Sequence, residues 1–264
     1  MEFKRLALED LNEGVRVKDQ DFIFDYNEDK YEDIVNLIDA PAIYQDKIFN
    51  NVYWFGYKFN ENSSREERSQ FINYIKGLSN NTQIDQKELE RFINKPLITL
   101  HTEELNVTDI DCIVYPKSER SPLVNQILKC VGDVCSRTAT KPSYELVKNL
   151  PANIEFDWEL FFLDNPTPDQ QQVYFINNIL VPKIKNLDYF SIAKNVKPKY
   201  RRYIKNFLNF KTEQDKKAFE SIEAGNILVV DDINTSGSTL NEILRIINGI
   251  NKECKIYIFT LLGK

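Results

Sequence analysis

Apolar residues recur at two spacings along the chain, and each spacing predicts a different kind of element. The aromatic-rich run 52–59 is typical of a β-strand. Residues 71–78 carry apolar side chains at helical spacing, and Ser64 and Glu67 just before them are spaced as a capping box. Residues 28–39 also place apolar side chains on one helical face, which predicts a further helix.

The middle of the chain alternates between the same two patterns. Periodicity predicts helices over 86–94, 123–135 and 169–186, and strands over 109–115 and 144–147. A polar loop is expected directly after the strand 109–115.

The clearest pattern lies near the C-terminus. The continuous apolar run 227–230 is typical of a strand buried on both faces, and the polar segment 231–239 after it predicts a loop. A helix is expected over 240–248, ended by Gly249, and an apolar strand over 255–262. Strand, loop, helix and strand in this order form a βαβ unit, which predicts a parallel sheet and an α/β fold.

Charge is distributed unevenly over the 264 residues. The formal net charge is −6, but residues 1–105 hold 13 basic and 21 acidic residues, whereas 106–264 hold 21 and 19. This shift predicts an acidic N-terminal α+β domain of unknown role over 1–105 and a second domain over 106–264. The acidic half argues against non-specific nucleic-acid binding by the whole chain.

Composition excludes several kinds of site. The one histidine, His101, excludes a two-histidine zinc site, and we expect it to be structural. The four cysteines form no C-x-x-C pair, so buried free thiols in a reducing compartment are expected. The N-terminal sequence has no signal peptide pattern and no run approaches a transmembrane length, which predicts a cytoplasmic protein without membrane association.

A locally basic segment, 183–211, contains nine lysines and arginines against Asp188, with aromatic residues interleaved. Two interpretations stay open. The charges can form a solvated face over aromatic side chains that pack inward. They can also form a mobile cover for a polyanionic ligand, or a nucleic-acid strip.

The segment 231–239 offers groups that bind phosphorylated sugars. Asp231 and Asp232 follow a buried strand, at the edge where open α/β sheets bind ligands. Four hydroxyl residues surround Gly237 at the start of a helix, where backbone N–H groups and the helix dipole favour a phosphate. The carboxylates suit vicinal sugar hydroxyls or a hydrated Mg²⁺. The alternative is an ordinary helix cap with a solvated turn.

The run 229–239 resembles the phosphoribosyl pyrophosphate (PRPP) signature of type I phosphoribosyltransferases, in which apolar residues and two acids precede T-x-G-x-T. The resemblance implies a parallel-sheet phosphoribosyltransferase-type domain. It also implies that Asp231 and Asp232 act in catalysis by holding the ribose 2′ and 3′ hydroxyls. The substrate-binding residues it implies, mainly for the 5′-phosphate, are Asn234, Thr235, Ser236, Gly237, Ser238 and Thr239.

An earlier loop resembles the family's pyrophosphate loop in position and order. It follows the strand 109–115, and it would bind the diphosphate through Lys117, Ser118 and Arg120. The basic residues of 194–205 precede the signature, where the family often has a mobile loop. The compact C-terminal end is similar to the competence-associated ComF-like branch, although this chain lacks the zinc ribbon common in that branch.

The resemblance implies an enzyme that transfers phosphoribosyl from PRPP to a nitrogenous base and releases pyrophosphate. Mg²⁺ would be bound mainly through PRPP, and the partners would be PRPP and a base, with homodimerisation left open. A PRPP- or nucleotide-binding regulator without catalysis is the second hypothesis, and an α/β interaction protein is the third. The sequence assigns neither the acceptor base nor the role of 1–105.

Overall fold

The structure is a computed structural model of the chain, and it describes residues 3–4, 14–18, 21–25, 35–45, 51–78, 84–102, 109–118, 121–222, 225–234 and 237–263. The predicted α/β class is confirmed, because helices alternate with strands around a sheet whose central strands are parallel. The strands are β1 (Phe3–Lys4), β2 (Gly14–Lys18), β3 (Asp21–Asp25), β4 (Val35–Gln45), β5 (Val52–Phe59), β6 (Cys112–Pro116), β7 (Ser143–Lys148), β8 (Glu155–Phe156), β9 (Ile204–Lys205), β10 (Leu208–Phe210), β11 (Asn226–Ile233) and β12 (Lys255–Gly263).

Helices of very different length connect these strands. The α-helices are α1 (Arg65–Ile75), α2 (Gln86–Leu100), α3 (Leu123–Val134), α4 (Ser136–Ala139), α5 (Trp158–Asp164), α6 (Gln170–Phe175), α7 (Val181–Lys185), α8 (Ile192–Asn195), α9 (Glu213–Glu220) and α10 (Ser238–Ile250). A π-helical segment, Ile176–Leu180, joins α6 to α7, and 3₁₀ turns lie at Pro151–Asn153 and Pro198–Tyr203.

The chain divides into two compact units. The first comprises residues 1–144, 223–235 and 253–264, and the second comprises 145–222 and 236–252. The predicted boundary near residue 105 falls within 103–108, outside the described residues, and it stays a prediction.

The sheet of the first unit has the order β6-β11-β12-β5-β4-β2-β3, with β1 paired to β4. Strands β6, β11, β12 and β5 are parallel neighbours, and the remaining pairs are antiparallel. Because β11 has a parallel partner on both sides, its carboxyl end lies in the middle of the parallel part of the sheet. The predicted parallel βαβ connection from β11 to β12 is therefore confirmed.

One core of large apolar side chains supports this sheet. Trp54 of β5, Phe71 of α1, Phe92 of α2 and Val230 of β11 are all buried in the same cluster. The ring of Tyr57 stacks on Phe92 with centroids 4.1 Å apart, and its hydroxyl donates a hydrogen bond to the Phe92 carbonyl. Helices α1 and α2 are thus fixed against the sheet by aromatic packing.

The second unit has its own strand pairs and its own aromatic cluster. Strand β10 pairs antiparallel with β7, and β8 pairs antiparallel with β9. Phe156, Phe161 and Tyr203 contact one another with centroids 5.3–5.6 Å apart.

The strand Val52–Phe59 and the capping box at Ser64 are confirmed, but the helix over 28–39 is wrong where the structure describes it. Residues 35–39 belong to β4, which pairs antiparallel with β5, and 28–34 lie outside the described residues. Sheet pairing overrides the local helical spacing here.

Two boundaries near the signature are also corrected. The loop does not begin at Asp231, because β11 extends to Ile233 and pairs in register with β12 up to Leu262. Gly249 does not end the helix, because α10 continues to Ile250 and is capped by Asn251 in an extended conformation.

Candidate functional site

Two aspartates lie at the carboxyl end of the central strand β11. Asp231 and Asp232 are each 6% exposed, and both belong to the end of β11, although the sequence predicted a loop at these two positions. Side chains of consecutive strand residues point to opposite faces of a sheet. The two carboxyl groups therefore approach the edge of the sheet from opposite faces.

Burial changes the protonation of the first aspartate. Desolvation and, after it, repulsion by Asp232 raise the pKa of Asp231 to about 8. The backbone N–H of Asp232 donates to Asp231 Oδ1 at 2.9 Å, and this hydrogen bond and Lys76 oppose the rise. At neutral pH Asp231 thus carries a proton and can donate a hydrogen bond as well as accept one.

The second aspartate has a partner that the sequence did not predict. Lys76 Nζ lies 2.7 Å from Asp232 Oδ2, with side-chain exposures of 22% and 9%. The two residues are far apart in sequence, and Lys76 belongs to the acidic N-terminal part of the chain. A lysine beside Gly77 at the end of a predicted helix was visible in the sequence, but nothing local indicated its partner.

The backbone that carries Lys76 is fixed by a helix stop signal. Lys76 caps α1, Gly77 adopts the left-handed conformation with φ +66°, and its N–H donates to the Tyr74 carbonyl. The N–H of Leu78 donates to the carbonyl of Asn73 at 2.8 Å. These two bonds form a Schellman motif, which ends α1 at a defined point.

The predicted pyrophosphate loop begins at the same edge of the sheet. Val114 of β6 pairs with Val229 of β11, so Pro116 at the end of β6 is level with Asp231. Lys117 is exposed and Ser118 half-buried directly after this point. The structure therefore brings Lys117 and Ser118 to the edge where the aspartates lie, whereas Arg120 lies outside the described residues.

The hydroxyl-rich half of the motif is described only in part. Thr235 and Ser236 lie outside the described residues. Asn234 is half-buried, and its backbone N–H donates to the Leu262 carbonyl at 2.8 Å, which ties the end of β11 to β12.

Gly237 provides the helix start that the motif predicts. It adopts φ +69°, a left-handed conformation that other residues enter at a cost, and it occupies the N-cap of α10. Ser238 and Thr239 form the first turn, with Ser238 buried and Thr239 half-buried. Glycine has no side chain to cap these first N–H groups, which suits them to an anionic ligand.

A buried hydroxyl beside the acidic pair also escaped the sequence interpretation. Thr260 of β12 pairs in register with Asp231, so both side chains lie on one face of the sheet. Thr260 is 0% exposed, and its Oγ1 has no hydrogen-bond partner within the described part of the chain. A buried hydroxyl in this condition is unusual and costly.

The basic segment has its arginines engaged within the second unit. Arg201 donates to the carbonyls of Val196 and Ala193, and Arg202 pairs with Asp164 at 3.2 Å. Lys197 and Lys199 lie over the rings of Phe175 and Tyr200, respectively. A role for these residues as a cover over pyrophosphate stays a prediction.

The described cysteines Cys112, Cys130, Cys135 and Cys254 are all buried and free, as the sequence predicts. Over the described ranges, no group of three or more His, Cys, Asp or Glu side chains is placed to hold a metal ion. Within those same ranges, no helix has the length and apolar character needed to cross a bilayer.

No protein-family model matches the chain, and no curated protein matches its sequence. A crystal structure of a hypoxanthine phosphoribosyltransferase from Staphylococcus aureus is similar to the chain, with a TM-score of 0.34 and 12% identity. The match covers 66% of this chain and 65% of the length of that structure.

Proposed function

We propose that this protein is a phosphoribosyltransferase, which transfers phosphoribosyl from PRPP to a nitrogenous base and releases pyrophosphate. The observation that carries the proposal is the buried pair Asp231 and Asp232 at the end of a central parallel strand, followed in the chain by a left-handed Gly237 that opens a helix. This order of strand, acidic pair, hydroxyl residues and helix is the order of the PRPP signature.

The acidic pair supplies two different groups for the ribose hydroxyls. Protonated Asp231 can donate to one hydroxyl oxygen, and the Asp232 carboxylate can accept from another. A diol offers both donors and acceptors, so these two groups are complementary to it. The orphaned hydroxyl of Thr260, in register with Asp231, provides a further polar group on that face of the sheet.

The phosphate groups would be bound by backbone amides and cations. We assign the 5′-phosphate to the segment 234–239, which includes the first turn of α10. We assign the diphosphate to Lys117, Ser118 and Arg120, of which the first two follow β6 at the edge where the aspartates lie.

The reaction would break the bond between C1 and the diphosphate oxygen while a base nitrogen forms a bond to C1, and the leaving oxygen takes the electron pair. Residues of this chain would position the two reactants and stabilise the charge that develops on the diphosphate. No protein nucleophile is needed, which agrees with a chain that has one histidine.

Magnesium fits this scheme as part of the substrate. The Lys76 ammonium lies 2.7 Å from Asp232 Oδ2 and disfavours a second cation at that carboxylate. We therefore assign Mg²⁺ to the diphosphate oxygens of PRPP, with no dedicated protein ligands, and derive no step through it. The proposal also places the protein in the cytoplasm.

The direct test combines binding and turnover. Calorimetry should detect PRPP binding in the presence of Mg²⁺, and pyrophosphate should be released when a panel of nucleobases is added. Absence of PRPP binding by the wild-type protein contradicts the proposed function. Substrate bases would be identified by which member of the panel supports pyrophosphate release.

A regulator that binds PRPP or a nucleotide without catalysis is the second candidate. The observation that favours it is the engagement of Arg201 and Arg202 in intramolecular contacts, which leaves them less available for a leaving diphosphate. The same assays separate the two functions, because a regulator would bind PRPP and release no pyrophosphate with any base.

A further inference from the structure

We propose that Lys76 is a positioning residue of the ribose site, which holds the Asp232 carboxylate in place by a close ion pair. The proposal rests on the proposed function for the identity of the ligand. It gives the N-terminal part of the chain, whose role the sequence leaves open, a direct contribution to the site.

The geometry of the pair is that of a strong interaction. The distance of 2.7 Å from Lys76 Nζ to Asp232 Oδ2 is at the short end for a charge-assisted hydrogen bond. Both side chains are largely withdrawn from solvent, so water and salt screen the pair less than an exposed one. The contrast within the same unit is Lys58, which lies 3.6 Å from Glu61 with both side chains exposed.

Lys76 is also anchored from its backbone upward. The Schellman motif at Gly77 fixes the end of α1, and Phe71 and Ile75 of the same helix are buried in the core. The side chain of Lys76 therefore starts from a fixed backbone position, so its pairing with Asp232 orders no further backbone.

The contact leaves part of the carboxylate available. Lys76 contacts Oδ2, which leaves Asp232 Oδ1 outside this ion pair. A sugar hydroxyl can donate to that oxygen while Lys76 keeps the other one fixed. The geometry thus assigns one carboxylate oxygen to the protein and the other to the ligand.

The experiment compares Lys76→Met and Lys76→Gln with Lys76→Arg, and uses Lys58→Met as the matched control from an exposed pair. PRPP affinity is measured by calorimetry with Mg²⁺. The titration of Asp231 is followed by ¹³C NMR of the carboxyl carbons without ligand, and Asp231→Asn assigns the signal. The titration reports on the Lys76 charge, because the electrostatic interaction with Lys76 lowers the pKa of Asp231.

Loss of the ion pair with Asp232 should weaken PRPP binding by about tenfold or more in Lys76→Met and Lys76→Gln. The same variants should raise the pKa of Asp231 by about one unit, since a nearby positive charge is removed. Lys76→Arg should recover most of the affinity, and Lys58→Met should leave both readouts unchanged.

Wild-type affinity and an unmoved Asp231 titration in a folded Lys76→Met or Lys76→Gln protein would overturn the proposal while the proposed function stands. If the wild-type protein does not bind PRPP, that measurement contradicts the proposed function independently of the Lys76 variants. The Asp231 titration then decides on Lys76: an upward shift supports its role in the acidic pair, and no shift overturns it.

Discussion

Two buried acidic side chains, Asp232 and Glu242, lie ten positions apart in the sequence and are treated very differently by the structure. Glu242 of α10 is 3% exposed and accepts hydrogen bonds from the Phe207 N–H at 3.1 Å and from Arg245 at both carboxylate oxygens, each at 2.8 Å. Asp232 pairs with Lys76 through one oxygen.

The difference separates a structural acid from a ligand-binding one. Both carboxylate oxygens of Glu242 accept hydrogen bonds from protein donors, so it has less capacity left for a ligand. Asp232 uses only Oδ2 in its ion pair with Lys76, and its neighbour in the chain is the protonated Asp231, which shares a face of the sheet with the unpartnered hydroxyl of Thr260. Burial alone does not distinguish a functional carboxylate from a structural one. Hydrogen-bonding capacity that protein donors leave unused at the end of a strand does distinguish them.

The largest expected effect comes from removing Glu242, the acid whose two oxygens are both bound by protein donors. Glu242→Ala leaves Arg245 and the buried Phe207 N–H without their partner, and we expect the free energy of unfolding to fall by about 3 kcal/mol. Urea denaturation measures this loss. The control is Glu220→Ala, which removes an exposed acid of a helix-surface pair at 3.9 Å and should cost less than about 0.5 kcal/mol. Equal losses in the two variants would contradict the structural role of Glu242.

Replacing both Asp231 and Asp232 should weaken PRPP binding and leave the protein folded. Asp231→Asn combined with Asp232→Asn replaces both acids by neutral amides and removes the charged carboxylate that accepts from a ribose hydroxyl, and PRPP affinity should fall by at least about 100-fold. Calorimetry gives the affinity, and thermal unfolding checks that the double variant is folded. Unchanged affinity in a folded double variant would refute the assignment of the site.

Stability should depend on pH through Asp231. Burial and Asp232 raise its pKa from 3.8 to about 8 in the folded protein, whereas the unfolded chain ionises near the ordinary value. Between these values the folded state holds a proton that the unfolded state has lost. The free energy of unfolding should therefore fall as pH rises, by at most about 1.4 kcal/mol per pH unit, and level off above pH 8.

Urea titrations between about pH 5 and pH 9 measure this slope, because that window spans most of the titration of a buried carboxyl group. Asp231→Asn should flatten the slope and be more stable than the wild type at the alkaline end. Asp109→Asn is the matched control, since the Asp109 side chain is 74% exposed and its loss should leave the slope unchanged. A wild-type stability that is constant over the window would contradict the prediction.

The smallest expected effect tests how the left-handed conformation of Gly77 fixes the backbone at Lys76. In Gly77→Ala the added Cβ meets nothing within 4 Å, so the cost is the backbone strain at φ +66°, about 1 kcal/mol of unfolding free energy. PRPP affinity should fall a few-fold with it. Gly249→Ala, inside α10 with equally open space, should instead stabilise the protein by about 0.5–1 kcal/mol. The same sign of change in both variants would contradict the prediction.

Much of the parallel sheet was predictable because its signals are local. The apolar run of β11, the amphipathic pattern of α10 and the apolar run of β12 each report on a few consecutive residues, and their order implies a βαβ unit. The capping box at Ser64 is likewise a signal between residues three positions apart.

The errors arose where distant pairing decides the structure. Residues 35–39 have helical spacing but belong to β4, in which 35–37 pair with β5. Asp231 lies in a polar segment that predicts a loop, but it belongs to β11 and pairs in register with Thr260. Lys76 has no local signal at all, because its partner is more than a hundred residues away in the sequence. A single sequence shows such a contact only as a charged residue near the end of a helix, with no oppositely charged residue nearby in the chain to identify its partner.

Strand β12 has a further consequence, for the order in which the molecule folds. It pairs on one side with β11 and on the other with β5, whose residues precede it by about two hundred positions in the chain. Without β12, the sheet of the first unit would consist of two unconnected parts, one with β5 and one with β6 and β11. During synthesis the helix that carries Lys76 would therefore wait for β12 before it could meet Asp232, which predicts slow folding dominated by long-range contacts. The contact between Lys76 and Asp232 would then be a late event, and its formation would report that the whole sheet has assembled.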